Sequence, residues 1–174
     1  MLLSRFQRRA EAAELGTLAD LTVLDIAEEN GNRLTLEVSG YQYPDNSTGR
    51  WDRNWLFVTG RVLASGRSWQ FKDPCLTTFE LAQLRRWFGA VQAKLFPVKT
   101  CYFTEPNLEF AYDDASEVLE VRFRLESAPP EITSGPDRFE GAAAHFTFAS
   151  SDAAQVIESI DLALQRFPER PGVG

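Results

Sequence analysis

The chain has 174 residues, 44% of them apolar and 12% aromatic, a composition that fits one compact globular domain, or at most two small ones, and excludes disordered, collagenous and disulfide-framework chains. Its 18 basic and 25 acidic side chains give a formal charge of −7, unevenly spread: residues 1–100 carry 13 basic and 11 acidic groups, residues 101–174 carry 5 and 14. That acidic second part argues against non-specific nucleic-acid binding, which needs clustered Lys and Arg, and favours either a basic partner or a plain solvated surface.

No apolar run reaches the roughly 18 residues of a transmembrane helix. Arg5, Arg8 and Arg9 break the N-terminus before any signal-like run develops, so a cytoplasmic location is expected. Two cysteines, Cys75 and Cys101, are read as buried free thiols, and no metal or cofactor is expected.

Residues 2–15 can form a short helix, with Leu2, Phe6, Ala10 and Ala13 on one face. Residues 1–16 are therefore treated as an extension, 17–168 as one domain and 169–174 as a tail. Strands at 21–28 and 33–43 bracket Asn30-Gly31, a dipeptide suited to a type I′ hairpin turn. A polar loop runs from Pro44 to Arg53. A second hairpin pairs 54–64 with 67–73, and Asp73-Pro74 is expected to stop its second strand.

Thr77-Thr78-Phe79-Glu80 has the Thr-x-x-Glu spacing of a capping box. It opens a helix over about 78–95, with Leu81, Leu84, Phe88, Val91 and Leu95 on its buried stripe and Pro97 beyond its end. Further strands are predicted at 98–104, 107–112 and 118–126. Period-two parity allows Tyr112 opposite Leu119 and hence Glu109 opposite Arg122, leaving Asp113 to Glu117 as an acidic hairpin tip. After an irregular crossing around Pro129-Pro130, a strand at 139–149 directs Ala144, Phe146 and Phe148 to one side. Ser150 or Ser151 then caps an amphipathic helix over 152–166. The fold class is α+β: about nine mostly antiparallel strands, in a sandwich or an open barrel, with two amphipathic helices.

Chemistry-bearing patterns are sparse. Neither GxGxxG nor GxxxxGK[ST] occurs, and the lone His145 falls on the solvent parity of its strand. Asp73 and Glu105 each precede a proline at a strand end, the one carboxylate pair that suggests an acid–base site; acids before proline are, however, ordinary turn formers, and that is the favoured reading. Among the aromatics, Trp55 and Trp69 are assigned to the core. Tyr41, Tyr43 and Trp51 flank the polar loop and are candidates for a protein or carbohydrate contact. Between Glu105 and Glu126 there are seven acids and two arginines, which makes Glu109, Asp113, Asp114, Glu117 and Glu120 candidates for contact with a basic partner.

Four strings carry a resemblance: Gly40-Tyr41-Gln42-Tyr43-Pro44, Asn54-Trp55-Leu56, Ser68-Trp69-Gln70-Phe71 running into Asp73-Pro74-Cys75-Leu76, and Phe103-Thr104-Glu105-Pro106-Asn107-Leu108. In this order they resemble the WapI-type bacterial immunity proteins. The resemblance implies a non-catalytic cytoplasmic protein that binds and neutralises a toxin domain, in the named case a nuclease, whose basic surface an acidic inhibitor would suit. It transfers no functional residue, because the shared strings are strand ends, a helix entry and core tryptophans. A carbohydrate- or small-ligand-binding β-module and a carboxylate-dependent hydrolase stand as alternatives.

Overall fold

A computed structural model describes residues 20–44, 49–133 and 135–171. The helix expected over 2–15 and the centre of the polar loop lie outside the described residues. Seven strands are present among those described, rather than about nine. β1 (Leu21–Ala27), β2 (Arg33–Tyr41), β3 (Trp55–Ala64) and β4 (Arg67–Thr77) form an antiparallel sheet in that order. β5 (Leu108–Asp113), β6 (Val118–Phe123) and β7 (Ala142–Thr147) form a second, three-stranded one. Among the described residues the two sheets stay separate and no barrel closes. The helices are α1 (Thr78–Gln92), the one-turn α2 (Pro130–Thr133) and α3 (Ala153–Arg166).

Alternation builds the first sheet. Leu34, Leu36 and Val38 of β2 and Leu56, Val58 and Val62 of β3 are buried, while Thr35, Glu37, Thr59 and Arg61 face outward in register. The β1–β2 connection is wider than a two-residue turn. Glu28 to Asn32 close it, with Gly31 at φ +92° and the Asn32 amide donating to Asn30 Oδ1 at 2.8 Å. β4 runs past Asp73-Pro74 to Thr77, because a register shift between Leu56 and Val58 absorbs the proline on an edge strand, where a missing N–H costs no ladder bond.

Helix α1 starts at the expected capping box: Thr77 Oγ1 accepts from the Glu80 amide, and Glu80 Oε2 accepts from the Thr77 amide. It ends at Gln92 instead of about 95. Lys94 adopts φ +54°, and Leu95, expected on the buried stripe, is 67% exposed. The strand expected over 98–104 is reduced to one bridge between Cys101 and Phe110. Side chains of α1 take over its backbone groups: Trp87 Nε1 donates to Lys99 O at 2.6 Å, Gln83 Nε2 to Tyr102 O at 2.8 Å, and the Thr104 amide to Glu80 Oε1 at 2.6 Å. At α3 neither Ser150 nor Ser151 caps; a 3-10 turn over Ser150–Asp152 leads directly into the helix.

Aromatic rings join the layers. Trp69 and Phe71 of β4 meet Phe123 of β6 edge-on at 5.4 and 6.0 Å. Phe88 of α1 lies 6.3 Å from Phe110 and 5.7 Å from Phe148. Helix α3 packs against α1 and β1. Trp69 is buried as expected, with Nε1 donating to Ser127 O, but Trp55 is only half-buried, on the outward parity of β3.

Candidate functional site

The second sheet sets the acidic candidates in register. Tyr112 pairs with Leu119 and Glu109 with Arg122, as parity allows. The charge partners differ from the register partners. Glu109 bonds Arg124 at 2.7 Å, while Arg122 turns to Glu120 at 3.1 Å. Across the next strand pair Glu120 also meets exposed His145, with Nε2 at 3.1 Å from Oε2. Glu109 and Glu120 are thus half-buried members of a charge ladder on the outer face of the sheet, and much of their charge is compensated there.

The hairpin tip differs. Asp113 shapes the turn, with Oδ1 accepting from the Ala115 amide at 3.2 Å and Oδ2 from Ser116 Oγ at 2.5 Å. The Asp114 and Glu117 carboxylates are exposed and make no ion pair among the described residues. Glu117 sits at φ +51°, and its carbonyl accepts from the Phe148 amide at 2.8 Å, which fixes the tip to the end of β7. Tyr112, at the base, donates to Phe148 O at 3.1 Å. Burial, and then the charges of Glu117, Asp114, Asp113 and Asp152, push its phenol above the usual range.

Two acids that sequence reasoning did not include approach the base of this hairpin and the end of β7. Asp152 arrives from the entry to α3. Glu28 arrives from the β1–β2 turn, its Oε1 accepting from the Thr147 amide at 2.8 Å. Burial raises the Glu28 carboxyl, but the hydrogen bonds from Thr147 and its asparagine neighbours outweigh this and hold it below the usual carboxylate range. A cleft of about 600 Å³ beside them is lined by Asp25, Arg33, Thr147, Asp152 and Gln155. No local pattern signals this grouping, since Glu28 and Thr147 are far apart in sequence.

The aromatic candidates divide. Tyr41 is engaged internally: its hydroxyl donates to Pro168 O at 2.5 Å, its ring meets Phe167 edge-on, and the Arg170 guanidinium stacks 3.7 Å from its centroid. Tyr43 is 45% and Trp51 50% exposed, the latter resting edge-on against Phe79 at 4.5 Å.

Asp73 and Glu105 do come near each other, around a buried amide. Asn107 Nδ2 donates to Asp73 Oδ2 at 3.4 Å and to Glu126 Oε2 at 3.2 Å. Burial, then Glu126 and Glu105, raise the Asp73 carboxyl. These carboxylates line neither the cleft beside the tip nor a smaller one of about 360 Å³ at Arg33, Arg61 and Gln70. The two thiols are free and buried, and desolvation raises both, Cys101 to about 11, so neither is an activated nucleophile.

Two antiparallel sheets bound by an aromatic core define an α+β protein whose candidate residues are spread over strands and turns. The chain matches the model of the immunity protein WapI-like family over residues 25–168, and it belongs to that family. No curated protein matches it.

Proposed function

We propose that the protein neutralises a cognate toxin domain by stoichiometric binding in the bacterial cytoplasm, without catalysis, through the acidic tip of the β5–β6 hairpin. Membership of an immunity family supports the class of function. The observation that carries the surface assignment is the contrast within one hairpin. Glu109 and Glu120 are paired with Arg124 and Arg122, Glu120 also bonding His145, whereas Asp114 and Glu117 present exposed charge with Asp113 beside them and Asp152 acting on the same Tyr112. Such a patch steers a basic domain, as many nuclease toxins are, into encounter. Tyr43 and Trp51 supply a second candidate contact, because exposed Tyr and Trp are the residue types that dominate interface energetics.

The test is association kinetics with the cognate toxin domain, recovered by pull-down with this protein as bait. Asp114→Lys with Glu117→Lys should lower the association rate about tenfold or more at low salt, and the difference should shrink as ionic strength shortens the screening length. An unchanged rate at low salt would remove the tip from the binding surface.

A further inference from the structure

The segment that follows α3 makes an unusually dense set of contacts with a part of the chain more than a hundred residues earlier. Arg170 Nη2 donates to Tyr43 O at 2.7 Å and Nη1 to Pro44 O at 2.8 Å, both on the leg leaving β2. Nε donates to Arg53 O at 2.7 Å, and Nη2 bonds the same carbonyl, on the leg entering β3. One planar guanidinium therefore spans both legs of the β2–β3 connection while stacking on Tyr41. The backbone of Arg170 adds a reciprocal pair with the buried Asn54: its amide donates to Oδ1 at 2.8 Å, and its carbonyl accepts from Nδ2 at 2.8 Å. Asn54 Nδ2 also holds Arg50 O at 2.7 Å, and Thr78 Oγ1 at the start of α1 donates to Asn54 Oδ1 at 2.9 Å. Glu169 pairs with Arg50, whose Nε lies 2.9 Å from its Oε1, and Pro168 O takes the Tyr41 hydroxyl.

We propose that Pro168–Arg170 is a staple: it closes the base of the β2–β3 connection and fixes Tyr43 and Trp51 in a preformed arrangement, with Arg170 as the positioning residue. The chemistry is specific to arginine. A guanidinium offers five N–H donors in one plane, so it can bridge carbonyls on two legs and still stack on a ring. A lysine ammonium is a point charge and cannot span them. Arg170 lies beyond the residues matched to the family, and the family model assigns it nothing. The consequence for binding rests on the toxin-contact reading: an ordered Tyr43 and Trp51 would enter an interface without the entropy cost of fixing a loose connection. The staple itself does not depend on that reading.

Two measurements on the full chain test it, and neither uses a partner. The Arg53 and Asn54 amides bond Gly49 O and Trp51 O within the connection, so their hydrogen exchange reports on its closure. Trp69 and Trp87 are buried and Trp55 is half-buried, so quenching of tryptophan emission by a polar quencher reports chiefly on Trp51. Arg170→Ala and Arg170→Lys should both accelerate exchange at Arg53 and Asn54 about tenfold or more and change the quenching constant, while β5 and β6 exchange as in the parent chain. Tyr41→Phe, which removes one bond and no core volume, should give the same pattern more weakly. Unchanged exchange at Arg53 and Asn54, unchanged quenching, parent-like behaviour of Arg170→Lys, or equal acceleration throughout the chain would each overturn the proposal.

Discussion

Asn107 shows how one buried side chain organises acids drawn from three segments. Its amide donates to Asp73 at the end of the β4 register shift and to Glu126 in the turn after β6, with Glu105 two residues before it. The result is electrostatic strain: burial and two neighbouring carboxylates raise the Asp73 carboxyl. A raised acid binds its proton more tightly in the folded state. Its contribution to stability is therefore full below the unfolded value and is lost as pH rises through the folded one. At neutral pH the penalty is present, so Asp73→Asn, whose Oδ1 still accepts from Asn107, should raise Tm by about 1–2 °C after allowance for partial exposure. The gain should vanish when the melts are repeated near pH 3. Glu80 contributes through its hydrogen bonds. It is buried with both oxygens occupied, by Thr77 on one side and the Thr104 amide on the other. Glu80→Ala removes the capping box and orphans a buried donor, so urea unfolding should show a loss of about 2–3 kcal/mol with an unchanged m-value.

At the scale of elements, the close fit of β3 to β4 depends on Gly60. A Cβ there would lie 2.1 Å from the Phe71 ring, which is itself wedged against Phe123 of the second sheet. Gly60→Ala should therefore cost at least about 2 kcal/mol, and Gly60→Ala combined with Phe71→Leu should recover part of it, a coupling that a double-mutant cycle measures. Elements were legible in the sequence wherever one local rule governed them. The Thr77–Glu80 box places the start of α1, and the register of Tyr112 with Leu119 and Glu109 with Arg122 is the one that strand parity allows. Legibility failed where tertiary partners took over. Residues 98–104 have strand-like composition, but Trp87, Gln83 and Glu80 claim their backbone groups. Trp55 has the apolarity of a core residue, yet the parity of β3 turns it outward.

At the scale of the whole molecule, the asymmetry of charge was visible at once in the sequence, and its net effect was not. The acids of residues 101–174 are partly spent within the second sheet, so the exposed patch is smaller than the count suggests, and Asp152 reaches the base of the hairpin from another element. The staple at Arg170 was illegible for the same reason: its partners at Tyr43, Pro44 and Arg53 are brought to it only by the complete fold. The candidate residues thus hold different stations. Tyr41 holds the segment that follows α3, Glu109 and Glu120 pair with local arginines, and Asp114, Glu117, Tyr43 and Trp51 face outward. Neutralisation of a toxin through such a surface has a stoichiometry, which separates it from enzymatic inactivation. The most direct test titrates this protein against a fixed amount of the cognate toxin domain, at a concentration well above their Kd, and records residual toxin activity. Binding predicts a linear fall that reaches zero at one equivalent; loss of activity at a small fraction of an equivalent, or activity undiminished by excess protein, would contradict it.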